Sequence, residues 1–493
     1  MLLPRMFRTI SILVGLVVLA AIPCAHAALA PATTFSQLDD PWLGKAIFVV
    51  DRLDDYAEGE PVIPHTLRWA TEQLGPEGGI VVFRRSGTIT LQRKLRIAPD
   101  ARNWLVAGYT APAPGVTVIH HGWDVAGQNW SIEHIRIRPG SVAYDERNGD
   151  LNDALGITGQ RHVTLSPDAD FRAAHAIKNG RIVNCSFSWA SDELAQLWFP
   201  PIEDIDFVNC LFTEPLHDPN LHPKPEVHGF GPIVAPDVGP VSFQRCVFAN
   251  SLRRNPRLND NSLVFIADSM LLNPGGAGIE LRVAEQFRPN GTPKTPRIAH
   301  DGPFTRPHVF TATGNLFVPG PDTQPTTNLI TQGEPILPES RIYVRGNWRW
   351  DRGTQTWVAT DEANAWEAEK VAPFDHWASE MPVAPAGYHV LSPEQVEAEL
   401  QANAGAFPHD RDATDRRLMQ QLQARTGAKI QRQNDAEIDR QGRPHDADGY
   451  EILPENRWSD GDDASHAWAL PDDAHDEAAV RRWLEAKRRL LSP

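Results

Sequence analysis

Ile182-Val183-Asn184-Cys185-Ser186-Phe187, Phe207-Val208-Asn209-Cys210-Leu211-Phe212 and Phe243-Gln244-Arg245-Cys246-Val247-Phe248 repeat one phrase in one register. Cys185 and Cys210 are 25 residues apart, and Cys210 and Cys246 are 36 apart. The longer interval is one period plus an excess that carries the Pro-rich and His-rich stretch His217 to His228, read as a loop. Upstream, Ile132 to Ile137 shows the same alternation, with Ile135 two periods before Cys185. Downstream, Val309 to Phe317 repeats it with Asn315 near the Cys position. Short alternating runs separated by Gly, Pro and Asn are strands, not helices. A repeat of this length made only of short strands suits one coil of a parallel β-helix, whereas a propeller blade needs about 40 residues. The Leu spacing and helical segment of a leucine-rich repeat are absent. Equivalent residues of successive coils stack about 4.8 Å apart, so Cys185 and Cys210 are expected as buried neighbours. They read as packing thiols, and a disulfide between them is geometrically allowed.

Composition agrees with a turn-rich solenoid. The chain has 493 residues with 42 Pro and 35 Gly, so long helices should be few. Its formal net charge of −16 argues against a protein that coats nucleic acid, and an acidic ligand would need a local basic patch or a bridging cation. Arg5 and Arg8 precede an apolar run from Ile10 to Ile22, and Ala25-His26-Ala27 supplies small residues for cleavage. Residues 1–27 are therefore read as a signal peptide. The run is shorter than the about 20 residues a membrane span needs. The expected mature protein is secreted or periplasmic, free of the membrane after cleavage, and monomeric. Residues 28–390 are assigned to the β-helix, 391–430 to a helical segment packed on it, and 431–493 to an acidic, partly irregular tail. An amphipathic helix from Thr66 to Leu74 would cap the open N-terminal end of the solenoid. Ser392-Pro393-Glu394-Gln395 has the N-cap, N1 and N3 residues of a helix start. Further helices are expected over Thr414 to Arg425 and Asp476 to Leu490.

Chemistry is concentrated in three places. Ser251-Leu252-Arg253-Arg254-Asn255-Pro256-Arg257 follows the third Cys phrase, so three arginines leave a strand together. They read either as a concentrated positive site or as a solvated basic turn. Asn152-Asp153-Ala154-Leu155 and Ser191-Asp192-Glu193 put carboxylates at the ends of earlier strands, where Asp is also a common turn residue. If all three segments line one groove, oxygen ligands for a hard cation lie beside guanidinium groups, and an acidic polymer suits such a groove.

An ordered succession of phrases resembles the bacterial pectate lyases of polysaccharide lyase family one, over roughly Phe48 to Ile430. It comprises Val49-Val50-Asp51, Thr66-Leu67-Arg68, Ser86-Gly87-Thr88-Ile89, Ala107-Gly108-Tyr109-Thr110-Ala111-Pro112 and Ile135-Arg136-Ile137-Arg138-Pro139-Gly140. Asp153-Ala154-Leu155, Cys185-Ser186-Phe187-Ser188-Trp189 with Asp192-Glu193, and Arg254-Asn255-Pro256-Arg257 complete it. The resemblance implies a right-handed parallel β-helix and Ca²⁺-dependent β-elimination on polygalacturonate. By it, Asp153 and Asp192 match calcium ligands, with Glu193 and Gln196 beside them, and Arg254 matches the arginine that takes the C5 proton. Arg257 resembles a partner of the substrate carboxylate, with Arg253, Lys224 and His228 as further substrate contacts.

This chain departs from the family pattern in places. Gln196 stands where many relatives carry a third carboxylate, and His228-Gly229-Phe230-Gly231 stands where a lysine is expected, with only Lys224 nearby. An insertion around Asp168 to Ala176 precedes the first Cys phrase. Weak Ca²⁺ binding without substrate is therefore expected, and stronger binding with a uronate present. Two other readings stay open: a glycoside hydrolase of the polygalacturonase type working with two carboxylates, and a non-catalytic β-helix that binds polysaccharide.

Overall fold

The computed structural model describes residues 31–141, 152–221, 227–283, 306–368, 371–434, 445–459 and 468–491. The expected signal peptide and Lys224 lie outside them. The chain winds into a right-handed parallel β-helix. Each coil contributes one strand to each of three sheets, as Ile202–Val208, Leu211–Thr213 and Ile233–Val234 do before Val241–Gln244, Val247–Ala249 and Arg257–Asn259 form the next coil. The repeated phrases pair in register, Phe207 opposite both Ile182 and Phe243, and Phe212 opposite both Phe187 and Phe248.

The corner between the first and second sheets explains the shared phrase. The chain turns there through a left-handed residue, which is Asn184, Asn209, Arg245, Asp268 and then Gly314 in successive coils. Asn, Asp and Gly tolerate this conformation best. The next residue points inward and stacks: Cys185, Cys210 and Cys246 are free, buried thiols, followed along the axis by Ser269, Asn315 and Asn347. The polar members form a ladder, with Cys246 N donating to Ser269 Oγ (3.0 Å), Ser269 N to Asn315 Oδ1 (3.2 Å) and Asn315 N to Asn347 Oδ1 (3.0 Å). Buried polar side chains are thus paired, as low-dielectric surroundings require. Beside them Phe187, Phe212 and Phe248 stack at centroid spacings of 5.2 and 5.4 Å.

Outer faces decide where a ligand fits. On the second sheet, helices Pro393–Asn403 and Ala413–Ala424 bury Val396, Leu400, Met419 and Leu422 against Leu211, Val247, Met270, Leu272 and Leu316. Ser392 closes the first of these helices with a capping box, and Asp412 caps the second. Asp412 and Asp415 also take the buried guanidiniums of Arg136 and Arg138. On the first sheet, helix Glu477–Arg489 lays Val480 and Leu484 over Ile80, Val82 and Leu105 of the first coils, and Arg488 pairs with Glu133 at 2.8 Å. The described parts of the tail therefore pack on the body. Leu67–Glu72, capped by Thr66, buries Leu67 and Ala70 at the start of the core. The third sheet differs. Its in-register positions on one face carry Arg96, Asp124, Gly156, Gln196, Ile233, Arg257, Glu280 and Thr331, a row that is polar except at Gly156 and Ile233.

Candidate functional site

The segments that enter the third sheet bring the sequence-selected residues together. Ala154 N donates to Glu193 O, Glu193 bridges Phe230, and Phe230 bridges Arg253, so Asp153, Asp192-Glu193, His228-Gly229-Phe230 and Arg253-Arg254 occupy successive rungs. Gly231 has a steric reason: a Cβ there would sit inside the contact radius of the Arg254 carbonyl oxygen. Arg254 itself holds a left-handed backbone, φ 64°. A non-glycine residue in that region is strained, and such strain gathers at functional sites.

The carboxylates converge. Asp153, Asp192 and Glu193 are all buried and offer oxygens within 4.8 Å of one another. Asp153 Oδ1 accepts from Glu193 N at 3.0 Å, and its other oxygen accepts from the Gln196 side-chain amide. His228 Nε2 lies 3.6 Å from Asp192 Oδ1. Burial pushes the Asp153 carboxyl well above the ordinary carboxylate range, and Asp192 pushes it the same way. Three carboxylates gathered in one buried place repel one another, which favours a cation among them, and their hard oxygen donors fit Ca²⁺. Gln196 presents its amide N–H to Asp153, so it adds no charge to the three carboxylates.

One rung further, the guanidiniums cluster. Arg254 forms an ion pair with Glu193 through Nη1, and its Cζ lies 4.1 Å from the centroid of the Phe230 ring. Burial first, then the positive charge of Arg257, lower the Arg254 pKa to about 10, although Asp192, Glu280 and Asp153 oppose that shift. Burial also lowers Arg257, whose Nε and Nη2 donate to Asn259 Oδ1 at 3.2 and 3.1 Å. Arg253 reaches Glu280 at 2.9 Å, and Arg282 reaches the same Glu280 oxygen at 2.6 Å. A cavity of about 260 Å³ is lined by Phe230, Arg253, Arg254, Arg257, Glu280, Arg282 and Glu334.

Sequence reasoning missed Phe230, Glu280, Arg282 and Glu334. Glu280 and Arg282 carried a usable signal, since Ile279-Glu280-Leu281-Arg282 alternates in polarity and stacks on Arg257-Leu258-Asn259, Glu280 opposite Arg257 and Arg282 opposite Asn259. Phe230 carried none, because a loop has no period.

Together these define a parallel β-helix whose third sheet sets an acidic triad beside a guanidinium cavity. No family model matches the chain. It is similar to the probable pectate lyase C of Aspergillus flavus, 23% identical over 460 residues, which cover 89% of this chain and 88% of that one. The probable pectate lyase C of Emericella nidulans is 23% identical over 464 residues, 91% of this chain and 89% of that one. The resemblance read from the ordered motifs thus extends along most of the chain. Among solved structures, the cedar pollen allergen Jun a 1 is 15% identical with a TM-score of 0.43, covering 76% of this chain and 92% of that one. A pectate lyase from Paenibacillus sp. 0602 is 9% identical with a TM-score of 0.42, covering 76% and 95%.

Proposed function

We propose that the protein is a polysaccharide lyase that cleaves a polygalacturonate-type chain by Ca²⁺-dependent β-elimination, acting as an exported monomer. The observation that carries this reading is Arg254: a guanidine of lowered proton affinity, seated on Phe230 between the carboxylate triad and Arg257. Among the described residues no helix is long and apolar enough to cross a membrane, and the leader read in residues 1–27 supports export.

Asp153, Asp192 and Glu193 would hold the cation, with Gln196 able to turn its amide oxygen to it. A bound Ca²⁺ supplies positive charge to the substrate carboxylate, which acidifies the carbon-bound hydrogen next to it. Arg257 and Arg253 bind carboxylates along the polymer and fix its register. Arg254, in its neutral form, takes the C5 proton and becomes a guanidinium. The electron pair left at C5 forms the C4–C5 double bond as the C4–O bond breaks, and the leaving oxygen takes a proton from water. His228, placed on Asp192, orients that carboxylate. Glu280 keeps Arg253 and Arg282 from spreading apart, since one buried carboxylate oxygen serves both.

The test is product chemistry. Incubation with polygalacturonate should give an unsaturated uronate with new ultraviolet absorbance, and a chelator should abolish it. A hydrolase would give reducing ends alone, and a binding protein neither. Arg254→Ala should lower turnover by at least three orders of magnitude while leaving the far-ultraviolet circular dichroism unchanged. Undiminished turnover in that variant would remove Arg254 from the mechanism.

A further inference from the structure

Glu193 belongs to two constellations at once. Its carboxylate is one of the three that converge with Asp153 and Asp192, and it is also the ion-pair partner of Arg254. The side chain is only 9% exposed, so water cannot stand in for a missing partner. A dication that draws the carboxylate takes from the guanidinium the negative charge that holds it, and competition for a single buried charge is sharper than in water. The two arrangements are therefore alternatives.

Building on the lyase reading, we propose that Glu193 is an exchange residue. Without a cation it holds Arg254, and when it joins Asp153 and Asp192 around Ca²⁺ it releases Arg254 to the substrate. After release Arg254 keeps its place, because the Phe230 ring lies 4.1 Å away and Asn255, the next residue, is anchored by its side chain to Ala277 O at 2.9 Å. The cavity that Arg254 then faces is lined by Arg253, Arg257 and Arg282, so a uronate carboxylate entering it becomes the new counter-charge. Cation and polymer thus favour each other: a uronate that occupies Arg254 frees Glu193 for the metal, and the metal frees Arg254 for the uronate. This gives a physical cause for weak Ca²⁺ binding in the absence of substrate.

The test is a double-mutant cycle on Ca²⁺ affinity, measured by calorimetry without substrate on the full chain. The four proteins are wild type, Arg254→Ala, Glu193→Gln and the double variant. Removing Arg254 should tighten Ca²⁺ binding at least tenfold when Glu193 is present and less than twofold when it is Gln. Where binding is too weak for calorimetry, terbium luminescence completes the cycle on the same proteins, and Arg254→Gln replaces Arg254→Ala should the alanine variant misfold. Equal tightening in both backgrounds would mean simple through-space repulsion and would overturn the exchange, as would no tightening in either. Polygalacturonate turnover by the wild type keeps the two readings apart. Product with an additive cycle sinks the exchange alone, and absence of product at saturating Ca²⁺ sinks the lyase reading whatever the cycle gives.

Discussion

Arg254 with a pKa of about 10 still holds its proton in all but about one molecule in a thousand at pH 7. If its neutral form is the reacting species, turnover at saturating substrate and Ca²⁺ should climb about tenfold per pH unit from pH 7 to 9 and level off at or below about 10. A profile flat over that interval would assign the proton to another group. Single residues were legible in the sequence where chemistry and repeat coincide. Arg253, Arg254 and Arg257 announce themselves as a run of cations directly after a strand, and Asp153 and Asp192 as carboxylates at strand ends. What the run could not disclose is the division of labour inside it. Arg253 pairs with Glu280 and Arg257 with Asn259, while Arg254 pairs with Glu193 of the carboxylate triad. Those pairings depend on neighbours one coil away, and side-chain direction along a coil is not written in spacing.

At the scale of elements, the helices on the second sheet are held by a buried ionic network as well as by apolar contact. Burial alone would raise the Asp412 carboxyl, but the guanidiniums of Arg136 and Arg138 outweigh it and hold Asp412 well below the usual carboxylate range. A carboxylate depressed in the folded state contributes stability that is present above its unfolded pKa, near about 4, and is lost as pH falls below it. Asp412→Asn should cost about 3–5 kcal/mol, because it leaves buried guanidiniums short of a partner, and should blunt the acid limb of the stability profile. Urea unfolding of both proteins at pH 7 and pH 3 measures this, and an unchanged midpoint at pH 7 would show the network to be dispensable. The helix starts were legible from local capping chemistry, as Ser392-Pro393-Glu394-Gln395 shows. Their docking partners were not, since Val396 and Leu400 mark an apolar face without saying which sheet receives it. The strands were legible for the opposite reason: stacking demands similar side chains at equal intervals, so Cys185, Cys210 and Cys246 repeat visibly. The ladder was harder to follow once Ser269 and Asn347 replaced sulfur with hydrogen-bonding groups of a different type.

At the scale of the molecule, the coils of a solenoid touch only their neighbours, yet the C-terminal segments of this chain add long-range closures. Helix Glu477–Arg489 covers Ile80, Val82 and Leu105, which belong to the first coils. Ending the chain at residue 470 should lower the melting temperature by several degrees and expose that apolar patch to self-association, while the third-sheet groove keeps its geometry. Thermal denaturation and gel filtration of the shortened chain measure both effects, and a monomer of unchanged melting temperature would show the closure to be idle. Arg488, on the last turn of this helix, also answers the buried charge of Glu133. During synthesis, then, the first coils leave the ribosome with a greasy flank and a carboxylate short of its partner, and both wait until helix Glu477–Arg489 has been made. Completion of these coils is timed by a helix translated long after them, so a ribosome that stops before it yields a chain defective far upstream of the break.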